Sequence, residues 1–417
     1  MVTEDGARSE PAQPLNPSFP VISRTRRQCY YLPSMKRWRS PGLCLLFVLL
    51  FGAAVYWLPL SAALAIGGLL AYGGVALLRG PRARNSLLTL GSVLIGAAGL
   101  NFAFWLITPH PVNEGEVKTH TPKEWLIDDP VVGYKFQPGI TVQDVTTYAG
   151  KPLYQQTYTI GPAGDRVTPG SGAEGPTYLF IGDSLIFGET LADDQTMVSQ
   201  FARMQQPRVH AVNLGVPGYA LNNVVRALET GRYDSFAVGP VKAVVSWIAP
   251  SHIERVTGDG EWLTKSPSYA LESDGSVRFT GSFLHHRLTH PWAGAAYLAR
   301  SQLPWIARAV HTSLLQDQTD LYIALLKRMR ELARERFHAP LVLICNWPET
   351  EVPGENDLEF VPAYRRIANL GIPLVSVRQL VGPSSSWDSF YMPHDGHPNA
   401  RLSQMIAKAL HDKLAQD

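Results

Sequence analysis

The sequence predicts an α/β protein whose parallel sheet carries helices on both faces, preceded by three membrane-crossing helices and a small β-rich lead-in. Short apolar runs bounded by Gly or Pro recur through the second half of the chain, separated by stretches with helical spacing. Long uncharged segments are confined to residues 42–107 and are flanked by arginines. Between these regions, residues 117–170 alternate polar with apolar and aromatic side chains, broken by Gly and Pro.

The bulk properties allow this architecture. At 417 residues and 45% hydrophobic content the chain is long enough for two or three domains with a sizeable core. A net charge of +2 points to no particular acidic partner, and no basic stripe of the kind that binds nucleic acid is present. Of three cysteines, Cys29 and Cys44 precede residue 60, so no disulfide forms within the main domain. Cys345 closes an apolar run and reads as a buried core thiol.

Residues 1–40 are polar and proline-rich and end in a basic cluster that includes Arg24, Arg26, Arg27, Lys36, Arg37 and Arg39. They read as a cytoplasmic tail with a positive juxtamembrane flank. Residues 42–58 and 60–78 carry no charge until Arg79, too long a stretch for one crossing at about 20 residues each, so a helical hairpin turning near Pro59 is expected. Residues 86–107 supply a third span, with Trp105 as its interfacial anchor, giving a membrane region over 41–108. Arg79, Arg82 and Arg84 lie before this span, whereas residues 109–116 hold no Lys or Arg. By the positive-inside rule the N-terminus is cytoplasmic and everything beyond the third span is extracytoplasmic.

Residues 109–172 form the lead-in, with Tyr134, Phe136, Tyr148, Tyr154 and Tyr158 on alternating positions. The main domain, 173–417, offers strands near Tyr178, Val209, Val241, Leu341 and Ile372. Residues 317–337 read as a helix with Leu321, Leu325, Met329 and Leu332 on one face. An insertion near 258–303 has few periodic signals and is expected to shape a substrate cleft. Its His285, His286 and His290 lack a carboxylate or Cys at ligand spacing, so they read as surface or packing residues, and neither a metal nor another cofactor is expected.

The candidate chemistry starts at residues 177–188, TYLFIGDSLIFG. The apolar run 178–181 fits a buried strand, which sets Ser184 at the carboxyl edge of the sheet, where open α/β proteins bind ligands. At the far end, residues 393–400 read PHDGHPNA ahead of a helix with Leu402, Ile406, Leu410 and Leu414 on one face. Asp395 and His397 in one loop suit the acid and base of an acyl-transfer triad with Ser184 as nucleophile.

IGDSLIFG, then NLGVPGYALNN at 213–223, then DGHPNA resemble the ordered blocks of the SGNH (GDSL-type) hydrolases over about residues 176–417. The resemblance implies a flavodoxin-like three-layer fold and ester hydrolysis. It assigns Ser184 as nucleophile, Gly218 as backbone oxyanion donor beside the amide of Ser184, and Asp395 and His397 as acid and base. A Gly-Tyr-x-x-x-Pro stretch at 133–138 and Gly-Asp-Arg at 164–166 are similar to the segment ahead of membrane-tethered bacterial members. Two departures stand out. The family's third block supplies an oxyanion Asn, but here the segment reads IAPSHIER at 248–255, leaving His252 as a substitute donor. Asp395 also precedes His397 by two positions rather than three, which leaves His394 and Asp388 as alternatives.

Together these features predict a serine esterase anchored in the bacterial inner membrane and acting outside the cytoplasm. O-acyl esters of envelope or exported polysaccharide, O-acetyl above all, are the expected substrates. O-acyl transfer onto the same glycans with a membrane partner, lysophospholipid cleavage, and a non-catalytic polysaccharide-binding or export scaffold are the alternatives.

Overall fold

A computed structural model describes residues 60–76, 78, 80–107, 117–347, 358–382 and 389–415. The first expected span, residues 42–58, lies outside them. The second is helix α1 (Leu60–Val75) and the third helix α2 (Pro81–Ile107). Three crossing helices are therefore a correction: among the described residues one helix, Pro81–Ala103, is long and apolar enough to cross a membrane. The two helices pack against each other through Gly68 and Gly91, and a Cβ at Gly68 would lie 2.5 Å from Ile95 Cγ1. Tyr72 and Ser92 hydroxyls meet at 2.7 Å across the same contact.

The lead-in comprises β1 (Val117–Thr121), β2 (Leu126–Asp129), β3 (Gly133–Phe136), β4 (Thr141–Tyr148) and β5 (Lys151–Thr159). Strands β1, β4 and β5 form an antiparallel sheet, and β2 and β3 a separate hairpin. Its inward residues Trp125, Phe136, Val142 and Tyr158 share one core with Phe187 and Leu214 of the main domain.

In the main domain, β6 (Thr177–Gly182) leads through a one-turn helix α3 (Ser184–Phe187) to α4 (Met197–Met204) and β7 (His210–Gly215). Helix α5 (Leu221–Glu229), strand β8 (Val241–Ile248) and the short α6 (Ser251–Arg255) follow. The insertion is more regular than its sequence suggested. It folds as a hairpin, β9 (Pro267–Leu271) and β10 (Val277–Ser282), then α7 (Phe283–Thr289) and α8 (Pro291–Gln302). Helix α9 (Pro304–Phe337), strand β11 (Leu341–Cys345), α10 (Val361–Ala368), β12 (Leu374–Ser376), α11 (Val377–Val381) and α12 (Ala400–Leu414) complete the domain.

The five strands are all parallel, in the order β12-β11-β8-β6-β7, so the sheet grows outward on both sides of β6. This is the doubly wound order with a switch point between β6 and β8. Successive side chains face opposite ways, which is why apolar residues predominate on both faces of these strands. Leu179, Ile181, Val244, Leu343 and Cys345 meet α5 and the second half of α9 on one face, where Leu325, Met329 and Leu332 are buried. Phe180, Val245, Val342 and Ile344 meet α4 and α12 on the other. Leu402, Ile406 and Leu410 of α12 are fully buried, each stabilising the fold by about 1.5–3 kcal/mol.

Candidate active site

Ser184 follows β6 at the carboxyl edge of the sheet. Asp183 caps the turn by accepting a hydrogen bond from the Leu185 amide at 3.1 Å. Gly215, at the end of β7, explains how the turn fits. A Cβ there would stand 2.2 Å from the Phe187 nitrogen and 2.7 Å from the Asp183 carbonyl oxygen, so only glycine lets the strand touch this backbone.

The structure brings together three of the sequence-predicted residues. His397 Nε2 lies 2.8 Å from Ser184 Oγ, and His397 Nδ1 is hydrogen-bonded to Asp395 Oδ1. The two-residue spacing works because Gly396 takes a left-handed conformation, φ 79°, folding the carboxylate back onto the next ring and onto the His397 amide at 3.1 Å. Ser184 is only 6% exposed. His394 is placed elsewhere, stacked on Tyr148 with ring centroids 3.9 Å apart, and Asp388 lies outside the described residues.

Burial alone would raise the pKa of Asp395, but its hydrogen bond and ion pair with His397, then Lys118, bring it well below the usual carboxylate range. Burial pulls His397 down, yet the hydrogen bond to Asp395 and the charge of Glu189 outweigh that and raise it above the ordinary histidine value. Glu189 Oε2 sits 3.7 Å from Nε2, on the Ser184 side of the ring.

Gly218, with φ 79°, lines the same cleft as Ser184 and His397. A Cβ there would meet the Tyr134 hydroxyl at 2.8 Å and Trp262 Nε1 at 3.0 Å, so the loop is closely held. The expectation for His252 is corrected. Its Nε2 lies 2.9 Å from Asp183 Oδ2, and its ring lines a separate void of ≈ 10 Å³ with Gly182 and Tyr322 rather than the cleft. The buried carboxylate of Asp183 has claimed it. Burial would push that carboxyl's pKa up, but His252 and Arg255 hold it far below the usual range.

The cleft measures ≈ 910 Å³, within the range of small-molecule sites. The lead-in contributes Lys118, His120 and Tyr134, and the insertion contributes Glu261, Trp262 and Lys265. Trp262 is 55% exposed, and its indole N–H donates to the Gly218 carbonyl at 2.9 Å. Four of the residues around the site were not anticipated: Lys118, Glu189, Arg255 and Trp262. Only Arg255 left a signal, because His252 and Arg255 are three apart and share a face once 251–255 is helical. Among the described residues no group of three His, Cys, Asp or Glu is placed to hold a metal, and His286 stacks on His290 at 4.5 Å.

Among models of known protein families, and among curated proteins, nothing matches this chain. Solved structures do. A member of the lipolytic G-D-S-L family from Veillonella parvula aligns at 13% identity, covering 57% of this chain and 97% of that one, with a TM-score of 0.34. The psychrotrophic esterase EstA from a Pseudoalteromonas species aligns at 12% identity over 58% and 98%, TM-score 0.33. A salicylyl-acyltransferase from a tetracycline biosynthetic pathway aligns at 14% over 59% and 56%, TM-score 0.30. By name, one is a lipolytic G-D-S-L protein, one an esterase and one an acyltransferase. At such identities and scores, the functional reading rests on the chain's own motifs and geometry.

Proposed function

We propose that this chain is an SGNH-type serine ester hydrolase anchored in the membrane. The observation that carries the reading is the Ser184 Oγ to His397 Nε2 contact of 2.8 Å, backed by Asp395 on Nδ1 and opening onto the ≈ 910 Å³ cleft. Neutral His397 removes the Ser184 proton as Oγ attacks the ester carbonyl. The Ser184 and Gly218 amides receive the oxyanion. His397 then protonates the departing alcohol, and water attacks the acyl-serine with His397 again as base, releasing the acid. Asp395 fixes the ring's tautomer and stabilises its charged form.

The ester is an O-acyl group, O-acetyl in the first instance, on an envelope or exported glycan. Exposed Trp262 supports this by offering a flat apolar face next to the reaction centre, while Glu261 and Lys265 offer polar groups on the rim. Transfer of the acyl group to a glycan hydroxyl in place of water is the second reading, supported by an open cleft with room for an acceptor. A purely binding module needs no paired serine and histidine, and their alignment argues against that alternative.

Helix α2 is the anchor. Arg82 and Arg84 at its start, with no Lys or Arg over 109–116 beyond its end, support an extracytoplasmic catalytic domain on the inner membrane. The full chain in mild detergent, given a chromogenic acetyl ester, is expected to turn it over, and Ser184→Ala and His397→Ala to abolish turnover. Equal, negligible rates in all three would remove the hydrolase reading.

A further inference from the structure

The family's third oxyanion donor is missing from this sequence, and His252, the nearest candidate, is turned to Asp183. One other side chain on the same short helix reaches the cleft. Arg255 lines it together with Ser184 and Gly218, and its side chain is 19% exposed. Its Nη1 donates to Asp183 Oδ2 at 2.7 Å and to the Tyr219 carbonyl at 3.1 Å. Asp183 immediately precedes Ser184 and Tyr219 immediately follows Gly218, so one guanidinium nitrogen is pinned between the neighbours of both backbone donors. Among the described residues Nε and Nη2 make no hydrogen bond, and Arg255 lines the cleft.

We propose that Arg255 is the third oxyanion donor of this site, a guanidinium standing where related enzymes place an amide. The inference rests on the acyl-serine reading above. A planar cation locked by two hydrogen bonds needs no reorganisation when charge develops on the carbonyl oxygen, and a buried carboxylate holds it in place. Asp183 is thus a positioning residue, and His252 Nε2 lies 2.9 Å from the same carboxylate oxygen. The arrangement also accounts for the lost Asn, because a donor carrying full charge makes a neutral one at residue 251 or 252 redundant.

The test compares the full chain with Arg255→Lys and Arg255→Gln, reading kcat and KM on a chromogenic acetyl ester, the Kd of an arylboronic acid, and the thermal midpoint. A boronate forms a tetrahedral anion on the serine and so reports oxyanion stabilisation directly. The expected result is a 10²- to 10³-fold fall in kcat with KM changed less than threefold, and a boronate Kd weakened by a similar factor. Arg255→Lys keeps the charge near Asp183, so it separates this role from mere folding support. A raised KM with kcat intact would overturn the proposal in favour of substrate anchoring. An unchanged boronate Kd accompanied by a lowered thermal midpoint would overturn it in favour of a structural role. A parent chain that neither turns over ester nor binds boronate would instead remove the acyl-serine reading itself.

Discussion

Lys118 sets its ammonium 2.8 Å from Asp395 Oδ2, the carboxylate oxygen that His397 leaves free, and 3.0 Å from Glu189 Oε1. The Tyr154 hydroxyl donates to the same Oδ2 at 3.3 Å. Both residues belong to the lead-in, so the small sheet ahead of the main domain completes the acid end of the candidate triad. Burial would depress the Lys118 ammonium's pKa, but Glu189 and Asp395 raise it far above the ordinary lysine value, so it stays charged across the physiological range.

Glu189 governs the acid limb of the pH profile. The base is neutral His397, so activity falls as pH drops through its folded pKa, which lies above the ordinary value of about 6.5. Glu189 raises that pKa by favouring the imidazolium. In Glu189→Gln the limb of kcat/KM is therefore expected to move to lower pH. A pH–rate profile measures it, and a limb that stays in place would show that the carboxylate does not reach the ring.

Lys118→Met is expected to move the same limb the other way. The ammonium disfavours a charged His397, so its removal raises the histidine pKa and costs activity near neutrality. Opposite shifts in the two variants would separate specific electrostatics from general loosening of the lead-in, which would lower the rate without moving the limb.

Arg166 holds the loop that follows Ser184. Its side chain is wholly buried and donates to the carbonyls of Phe187 at 2.7 Å, Gly188 at 2.7 Å and Leu191 at 2.6 Å, while Nε pairs with Asp193 at 3.1 Å. The guanidinium also packs on the rings of Tyr158 and Phe187, 4.6 and 4.4 Å from their centroids. Removing it strands Asp193 and three carbonyls, so Arg166→Leu is expected to lower unfolding free energy by about 3–5 kcal/mol in chemical denaturation. A loss under about 1 kcal/mol would contradict this account of the loop.

Much of this arrangement was readable from the sequence because it is local. Apolar runs at 178–181 and 341–345 can only be covered strands, and the residues before and after them define the edge of the sheet. Ser184, Gly218, Asp395 and His397 sit within short ordered blocks, so their meeting follows from chain order. What escaped prediction is distant in sequence. Lys118 reaches Asp395 across 277 positions, and nothing in the strand VKTHT marks its lysine as the partner of so distant a carboxylate. His252 was misassigned because its competing partner is fixed by how β6 and β8 pair in space.

The most direct test of the central claim is covalent. A fluorophosphonate probe applied to the full chain, followed by peptide mass spectrometry, is expected to mark Ser184, with labelling lost in Ser184→Ala and slowed by orders of magnitude in His397→Ala. Labelling at another serine, or equal labelling in the His397 variant, would contradict the account.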